Sequence, residues 1–347
     1  MKIIHEDIKK NFIKLKAESI DDLWHLKHII RKGDLLEGKT FRREEQKTDK
    51  IRTERSEKKP VYLKIRAEKI EFHKDANRLR ITGVIEEGED TGSYHTFNIE
   101  EGSVIGVTKK WKTYDLERIE EAVKNTNAPK ILILTMDMGE SVFGLVRGYG
   151  IDFLASLNEN IPGKYYSVKR KKERETFFKN TAEKIIEVFD RYSIEKVIIA
   201  GPGFVKEEFA KYLKEKYPIL NGKYVLKRAS SVGRSGIYEV IKKGDLEDVY
   251  KESRISREIG LVEKICQKIL KDEAVYGIKD VEKALSYGAI DTLLIVDELL
   301  RDEKYEKILE RSRNKNCKVY VVSSEHEGGE KLKSLGGIGG ILRFKIN

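Results

Sequence analysis

The chain has 347 residues, more than one hydrophobic core comfortably serves, so two or three domains are expected. It carries 69 Lys+Arg against 59 Asp+Glu, a net charge of +10 and a pI near 9.1. No stretch approaches the roughly 20 apolar residues of a membrane span, and the start, MKIIHEDIKKNF, lacks the apolar core of a signal peptide. A cytoplasmic protein is the expectation. The basic excess is spread along the whole chain, which suits contact with a polyanion at several points. The two cysteines, Cys266 and Cys317, form no CxxC motif and sit in apolar periodic contexts, the pattern of buried structural thiols. Charged residues make up 37%, mostly Lys and Glu, with two Gln, a composition of thermophilic type. A circular dichroism melting midpoint above about 60 °C is the expected result, and one in the ordinary mesophile range would contradict it.

In chain order, FIKLKAE alternates Ile13, Leu15 and Ala17 with charged residues, the period of a half-buried strand. Ser19 and Asp22 then stand at capping-box spacing before a short helix through LWHLKHII. Gly33-Asp34 turns the chain. The segment Lys39–Pro60 holds nine basic and five acidic residues and two clearly apolar ones, Phe41 and Ile51. It cannot bury enough surface to order itself and reads as a long loop, either a solvated connection or a functional one. PVYLKIRAE leaves it with Val61, Leu63, Ile65 and Ala67 alternating. The phase then slips to Ile70 and Phe72, which predicts a bulge. RLRITGVI and GSVIGVTK are further strands, and several short strands with one helix predict a small barrel. Leu116, Ile119 and Val123 begin a connecting helix, which NTNAP ends.

KILILTMD opens the middle part as a central strand, with SVFGLVRGYG as its hairpin partner. KRKKER leads into a helix with Phe178, Ala182, Ile185 and Phe189 on one face. KVIIAGPGF is strand and tight turn, VKEEFAKYLKEKY helix, and KYVLKRAS strand. A long helix carries Ile255, Ile259, Val262, Cys266 and Ile269. Helices and strands alternate again to the end, where GGIGG reads as a flexible turn into a last strand. Both later parts are α/β by this alternation. The expected domains are 1–126, 127–252 and 253–347.

Four features bear on chemistry. Glu18, Asp21 and Asp22 could hold a divalent metal for phosphodiester hydrolysis, or cap a helix and meet its positive end. Lys169, Arg170, Lys171, Lys172 and Arg174 could contact phosphates, or form a solvated helix start that is unfavourable for cations. Gly201, Pro202, Gly203 and Phe204 form a strand-to-helix turn that could hold an anion or offer Phe204 to a partner. The six histidines, His25 and His28 included, have no Cys or carboxylate at zinc-site spacing. No GxSxG or GxxxxGK[ST] motif is present.

The order of these phrases, SIDDLWHLKHIIRKGD, TFRR, AGPGF and GGIGGILRF, resembles that of the Pelota family, relatives of class I peptide-release factors, over essentially the whole chain. The resemblance implies a multidomain α+β protein: an N-terminal Sm-like small β-barrel, then two α/β domains of release-factor type. It implies ribosome rescue and messenger RNA surveillance, with entry into an empty A site. The implied partners are the ribosome, a GTPase of the elongation-factor-1-alpha class and an ABC-type recycling ATPase. A monomer with no bound cofactor is expected. Release factors use a Gly-Gly-Gln tripeptide to place water at the peptidyl ester. Here Gly328-Gly329 is followed by Glu330, and Gly336-Gly337 and Gly339-Gly340 by Ile, so peptide release is not expected. On this reading Arg42, Arg43, Lys47, Lys50, Arg52 and Arg55 contact ribosomal or messenger RNA phosphates. An alternative implied by the same resemblance is a metal-dependent endoribonuclease using Glu18, Asp21 and Asp22, which alone would call for a divalent cation.

Overall fold

In the computed structural model, residues 1–43, 58–73, 76–125, 130–161, 167–245 and 254–346 are described. The chain divides into two compact units, Met1–Ala128 and Pro129–Asn347.

The first unit is built from β1 (Lys2–Asp7), β2 (Phe12–Lys16), α1 (Ile20–Ile29), β3 (Leu35–Arg43), β4 (Lys58–His73), β5 (Arg78–Glu87), β6 (Tyr94–Ile99), β7 (Val104–Thr108) and α2 (Thr113–Asn125). Its seven strands form one antiparallel sheet in the order β1-β2-β7-β3-β4-β5-β6. The alternation read from sequence becomes a single core: Ile13, Leu15, Leu36, Leu63, Ile65, Ile81 and Ile105 pack with Leu23, Leu26 and Ile29 of α1. The expected bulge in β4 is present, as a register shift between Ala67 and Lys69 against β5. The charged segment is narrower than its composition implied. Lys39 to Arg43 continue β3 and pair with Tyr62 to Lys58, because ladder hydrogen bonds need no apolar side chains. In α2 Asp115, Arg118, Ile119 and Ala122 are buried, while Val123 turns to solvent.

The second unit contains two sheets. The first has the order β10-β9-β8-β11-β12 and comprises β8 (Ile131–Asp137), β9 (Glu140–Val146), β10 (Ile151–Asn158), β11 (Lys196–Gly201) and β12 (Tyr224–Arg228). β9 is the expected hairpin partner of β8, and β8, β11 and β12 run parallel. Helices α3 (Ser167–Tyr192) and α4 (Val205–Lys216) cover one face, with Phe178, Ala182 and Ile185 buried as their spacing required. The other face packs against α5 (Arg234–Lys242) and the start of α6 (Arg254–Ile269).

The second sheet has the order β13-β16-β14-β15, from β13 (Ala274–Tyr276), β14 (Ile290–Val296), β15 (Lys318–Val322) and β16 (Ile338–Leu342). Around it lie α7 (Ile278–Ser286), α8 (Glu303–Asn314) and α9 (Glu327–Ser334). Helix α6 joins the two halves of this unit: Ile255 and Ile259 belong to the core of the first sheet, Val262 and Ile265 to that of the second. Gly339 and Gly340 are not in a flexible turn but inside β16, every residue of which is buried. A Cβ on either would stand 3.1–3.2 Å from Ile265 or Ile290, tighter than ordinary contact. Both cysteines are free; Cys317 is buried, Cys266 only half-buried. No helix among the described residues is long and apolar enough to cross a membrane.

Candidate functional site

The first candidate surface is the β3–β4 hairpin. Arg42 lies near the end of β3, where its guanidinium donates to Ser93 Oγ at 2.9 Å and pairs with Asp90 at 3.0 Å. The Asp90 side chain is well exposed, so this pair is weak and exchangeable. Arg43 continues the strand opposite Lys58. Lys47, Lys50, Arg52 and Arg55 lie outside the described residues.

The acidic cluster sits at the start of α1. Asp22 is buried, and its Oδ2 accepts from the backbone N–H groups of Glu18 (2.7 Å) and Ser19 (3.0 Å) and meets the Met1 ammonium at 2.7 Å. Ser19 Oγ accepts in return from the Asp22 N–H at 3.3 Å, completing the capping box. Glu18 reaches toward Lys16 at 3.6 Å, and Asp21 lies in the first turn of the helix. Asp22 Oδ2 is thus engaged by three donors of the chain itself, the arrangement of a structural cap. Among the described residues no group of three or more His, Cys, Asp or Glu converges to hold a metal ion.

The second candidate surface lies at the carboxyl ends of β8, β11 and β12. Gly201 has φ +154°, and a Cβ there would fall 1.9 Å from the Met136 carbonyl oxygen. The turn therefore needs glycine, and Gly203, at φ +57°, completes it. This backbone holds Phe204 out at the start of α4 with 80% of its surface exposed. Beside it, a cleft of about 360 Å³ is lined by Lys206, Glu207, Leu226, Lys227, Arg228, Lys243 and Asp245.

The basic run of α3 is divided. Lys171 and Lys172 are exposed. Arg174 turns inward, pairing with Glu208 of α4 at 2.5 Å and lying 6.0 Å from the Phe178 ring centre. Lys169 and Arg170 lie on the helix, but their side chains are not among those described.

One cluster escaped sequence reasoning. Glu258 of α6 is buried, and its carboxylate accepts from Arg254, from the Ser323 N–H at 2.8 Å and is hydrogen-bonded to His326 Nε2 at 2.8 Å. Ser323 Oγ donates to the Tyr149 carbonyl at 2.8 Å, tying the β15–α9 connection to the β9–β10 turn. Burial alone would push the Glu258 carboxyl up, but the Arg254 guanidinium and His326 outweigh it and pull it down to about 2. The i,i+4 pair Arg254–Glu258 was visible in the sequence; its partners 65 and 68 residues away were not.

An N-terminal β unit followed by two α/β parts, with an exposed strand–helix turn, is the order of parts that the resemblance to relatives of peptide-release factors implies. Family models agree in chain order: Pelota N-terminal domain at residues 1–123, eRF1 domain 2 at 130–252 and eRF1 domain 3 at 255–346. A protein pelota homolog of Pyrococcus horikoshii is 50% identical over 355 residues, covering all of both chains. The chain belongs to the Pelota family. The crystal structure of the Thermoplasma acidophilum Pelota protein superposes with a TM-score of 0.79 at 28% identity, covering both chains fully. Saccharomyces cerevisiae Dom34, described as a translation termination-like factor involved in RNA quality control pathways and interacting with Hbs1, shares the fold with a TM-score of 0.54 at 24% identity, covering 100% of this chain and 99% of its own.

Proposed function

We propose that this protein rescues stalled ribosomes as a binding factor, not as a hydrolase. It enters an empty A site, is delivered by a translational GTPase of the elongation-factor-1-alpha class, and promotes subunit dissociation with an ABC-type recycling ATPase. It works in the cytoplasm as a monomer, in three parts with boundaries near residues 126 and 252. The observation that carries the reading is full-length membership in a release-factor-like family combined with the absence of Gly-Gly-Gln. Without that tripeptide the chain has no means of placing water at a peptidyl ester, so its output is recognition and remodelling.

The end of β3 and the segment that follows it supply the contact with ribosomal or messenger RNA. Arg42, Arg43, Lys47, Lys50, Arg52 and Arg55 meet phosphates, which positions the protein without reading sequence. Phe204 and its glycine turn serve a protein partner, and Lys171 and Lys172 add cationic surface. Replacing the six cations by Ala should weaken ribosome binding and flatten the dependence of log K on log salt by ~0.7–0.9 per lost phosphate contact. Unchanged affinity and slope, in a filter-binding series across salt concentrations, would remove these residues from the interface. The second reading, a metal-dependent endoribonuclease, gains no support from the capped geometry of Asp22.

A further inference from the structure

The solvent face of the first unit's sheet carries aromatic rings that the phosphate-contact reading leaves unused. In β3, Leu36 and Gly38 face the core while Lys39 and Phe41 face solvent; in β4, Leu63, Ile65 and Ala67 face the core while Tyr62 and Arg66 face solvent. The register sets Phe41 opposite Pro60 and Lys39 opposite Tyr62. Phe41 and Tyr62 are therefore diagonal neighbours on one face, about 7–8 Å apart at Cα. They are 65% and 51% exposed. Farther along the same face the ladder aligns Arg66, Val84 and Tyr94, and Tyr94 is 63% exposed.

Large aromatic side chains normally bury their area, and three on one open sheet face are a cost unless something covers them. Two details point to what does. The Tyr62 ring is held in place: its hydroxyl donates to Glu37 at 2.8 Å, and burial together with that bond pushes its pKa up to about 12, so it stays a neutral donor. The surrounding charge on this face is mixed: Lys39, Lys64 and Arg66 stand among Glu37, Glu68, Glu86 and Glu87, and Glu68 accepts from the Tyr94 hydroxyl at 3.2 Å. Lys64 pairs with Glu87 and Arg66 with Glu86, both carboxylates at least partly exposed, and Arg66 also donates to the Gly33 carbonyl at 3.0 Å. Surface pairs of that kind exchange for other anions at little expense. Rings oriented on a rigid antiparallel sheet, with cations between them, form the arrangement that stacks bases of single strands while phosphates run along the cations.

We propose that this face binds single-stranded RNA by base stacking on Phe41 and Tyr62, with Tyr94 at the far end of the track. The proposal rests on the RNA-contact reading above and adds to it a contact with bases in place of phosphates alone. Stacking tolerates any base, so the protein would gain affinity for unpaired message without gaining sequence preference.

The test is fluorescence anisotropy of the full chain with a fluorescein-labelled decamer of oligouridine and with an abasic oligonucleotide of the same length. The wild type should bind oligouridine more tightly than the abasic strand. Phe41→Leu with Tyr62→Leu should lower oligouridine affinity by about tenfold or more per ring and erase the preference, with an unchanged salt slope because no charge is removed. Tyr62→Phe, which keeps the ring, should bind like wild type. Equal wild-type binding to both probes, or undiminished affinity in the double variant, overturns the proposal. Should the double variant fail to fold by circular dichroism, the abasic comparison and Tyr62→Phe still decide. Subunit-splitting activity is read separately: its loss with stacking intact counts against the rescue reading and not against this face.

Discussion

Glu258→Ala should cost the Pro129–Asn347 unit roughly 3–5 kcal/mol of unfolding free energy, the range expected when one partner is removed from a buried ion pair. Three groups lose their acceptor together. The Arg254 guanidinium is left buried without its carboxylate, the Ser323 N–H loses its partner, and His326 loses the bond at Nε2. The wild-type carboxyl is held at about 2 against its ordinary 4.5. A depressed carboxylate stabilises the fold above its unfolded value and ceases to do so as pH falls through the folded one. The contribution is on the order of 3 kcal/mol at neutral pH and should fade between about pH 4.5 and 2. Urea titrations across that range should show an acid loss in the wild type that is missing from the variant. Hydrogen exchange should also quicken around Tyr149, whose carbonyl is held by Ser323. Equal stability of the two proteins at pH 7 would mean that the cluster is a passenger.

The second large effect belongs to the first unit. Lys109 is buried at the end of β7, with Nζ 3.0 Å from Asp115, 3.4 Å from Asp34 and donating to the Ile29 carbonyl at 2.5 Å. Lys109→Met keeps the length of the side chain and leaves Asp115 with the Arg31 guanidinium at 3.8 Å and Asp34 with the Arg31 backbone N–H at 2.8 Å. A loss of roughly 3–5 kcal/mol is expected at neutral pH. Burial already pushes the Asp34 carboxyl above its ordinary 3.8, against the pull of Lys109. Without the ammonium it should rise farther. A raised carboxyl favours the fold when protonated, so the deficit should shrink as pH falls through the folded value toward 3.8. A thermal melt of the variant that matches wild type at pH 7 would contradict this.

These two clusters show where sequence reading stops. Local signals translated directly into structure: the Ser19–Asp22 box, the phase slip in β4, and the helical face of Phe178, Ala182 and Ile185 each depend on residues a few positions apart. The extension of β3 through Lys39 to Arg43 did not, because cross-strand pairing with Lys58 to Tyr62 depends on a partner across the intervening segment. The burial of Gly339 and Gly340 was hidden for a related reason. Glycine near a chain end reads as flexible, yet here it makes room for Ile265 and Ile290 packed from other elements. The Glu258–His326 bond and the Lys109 cluster join residues brought together only by the finished fold. Of the candidate site, Phe204 was legible because its two glycines announce the turn; the aromatic face was not, because Phe41 and Tyr62 share a face only once the register of β3 and β4 is known.

On the proposed function, this chain separates ribosomal subunits by binding and not by cutting RNA. Ribosomes with an empty A site would be mixed with the protein, the GTPase, the recycling ATPase and both nucleotides, then sedimented, with the message probed in the same tubes. Free subunits with intact message, unaffected by Glu18→Ala, is the predicted result. Message cut in a reaction that needs a divalent metal and Glu18, with subunits still joined, would contradict it.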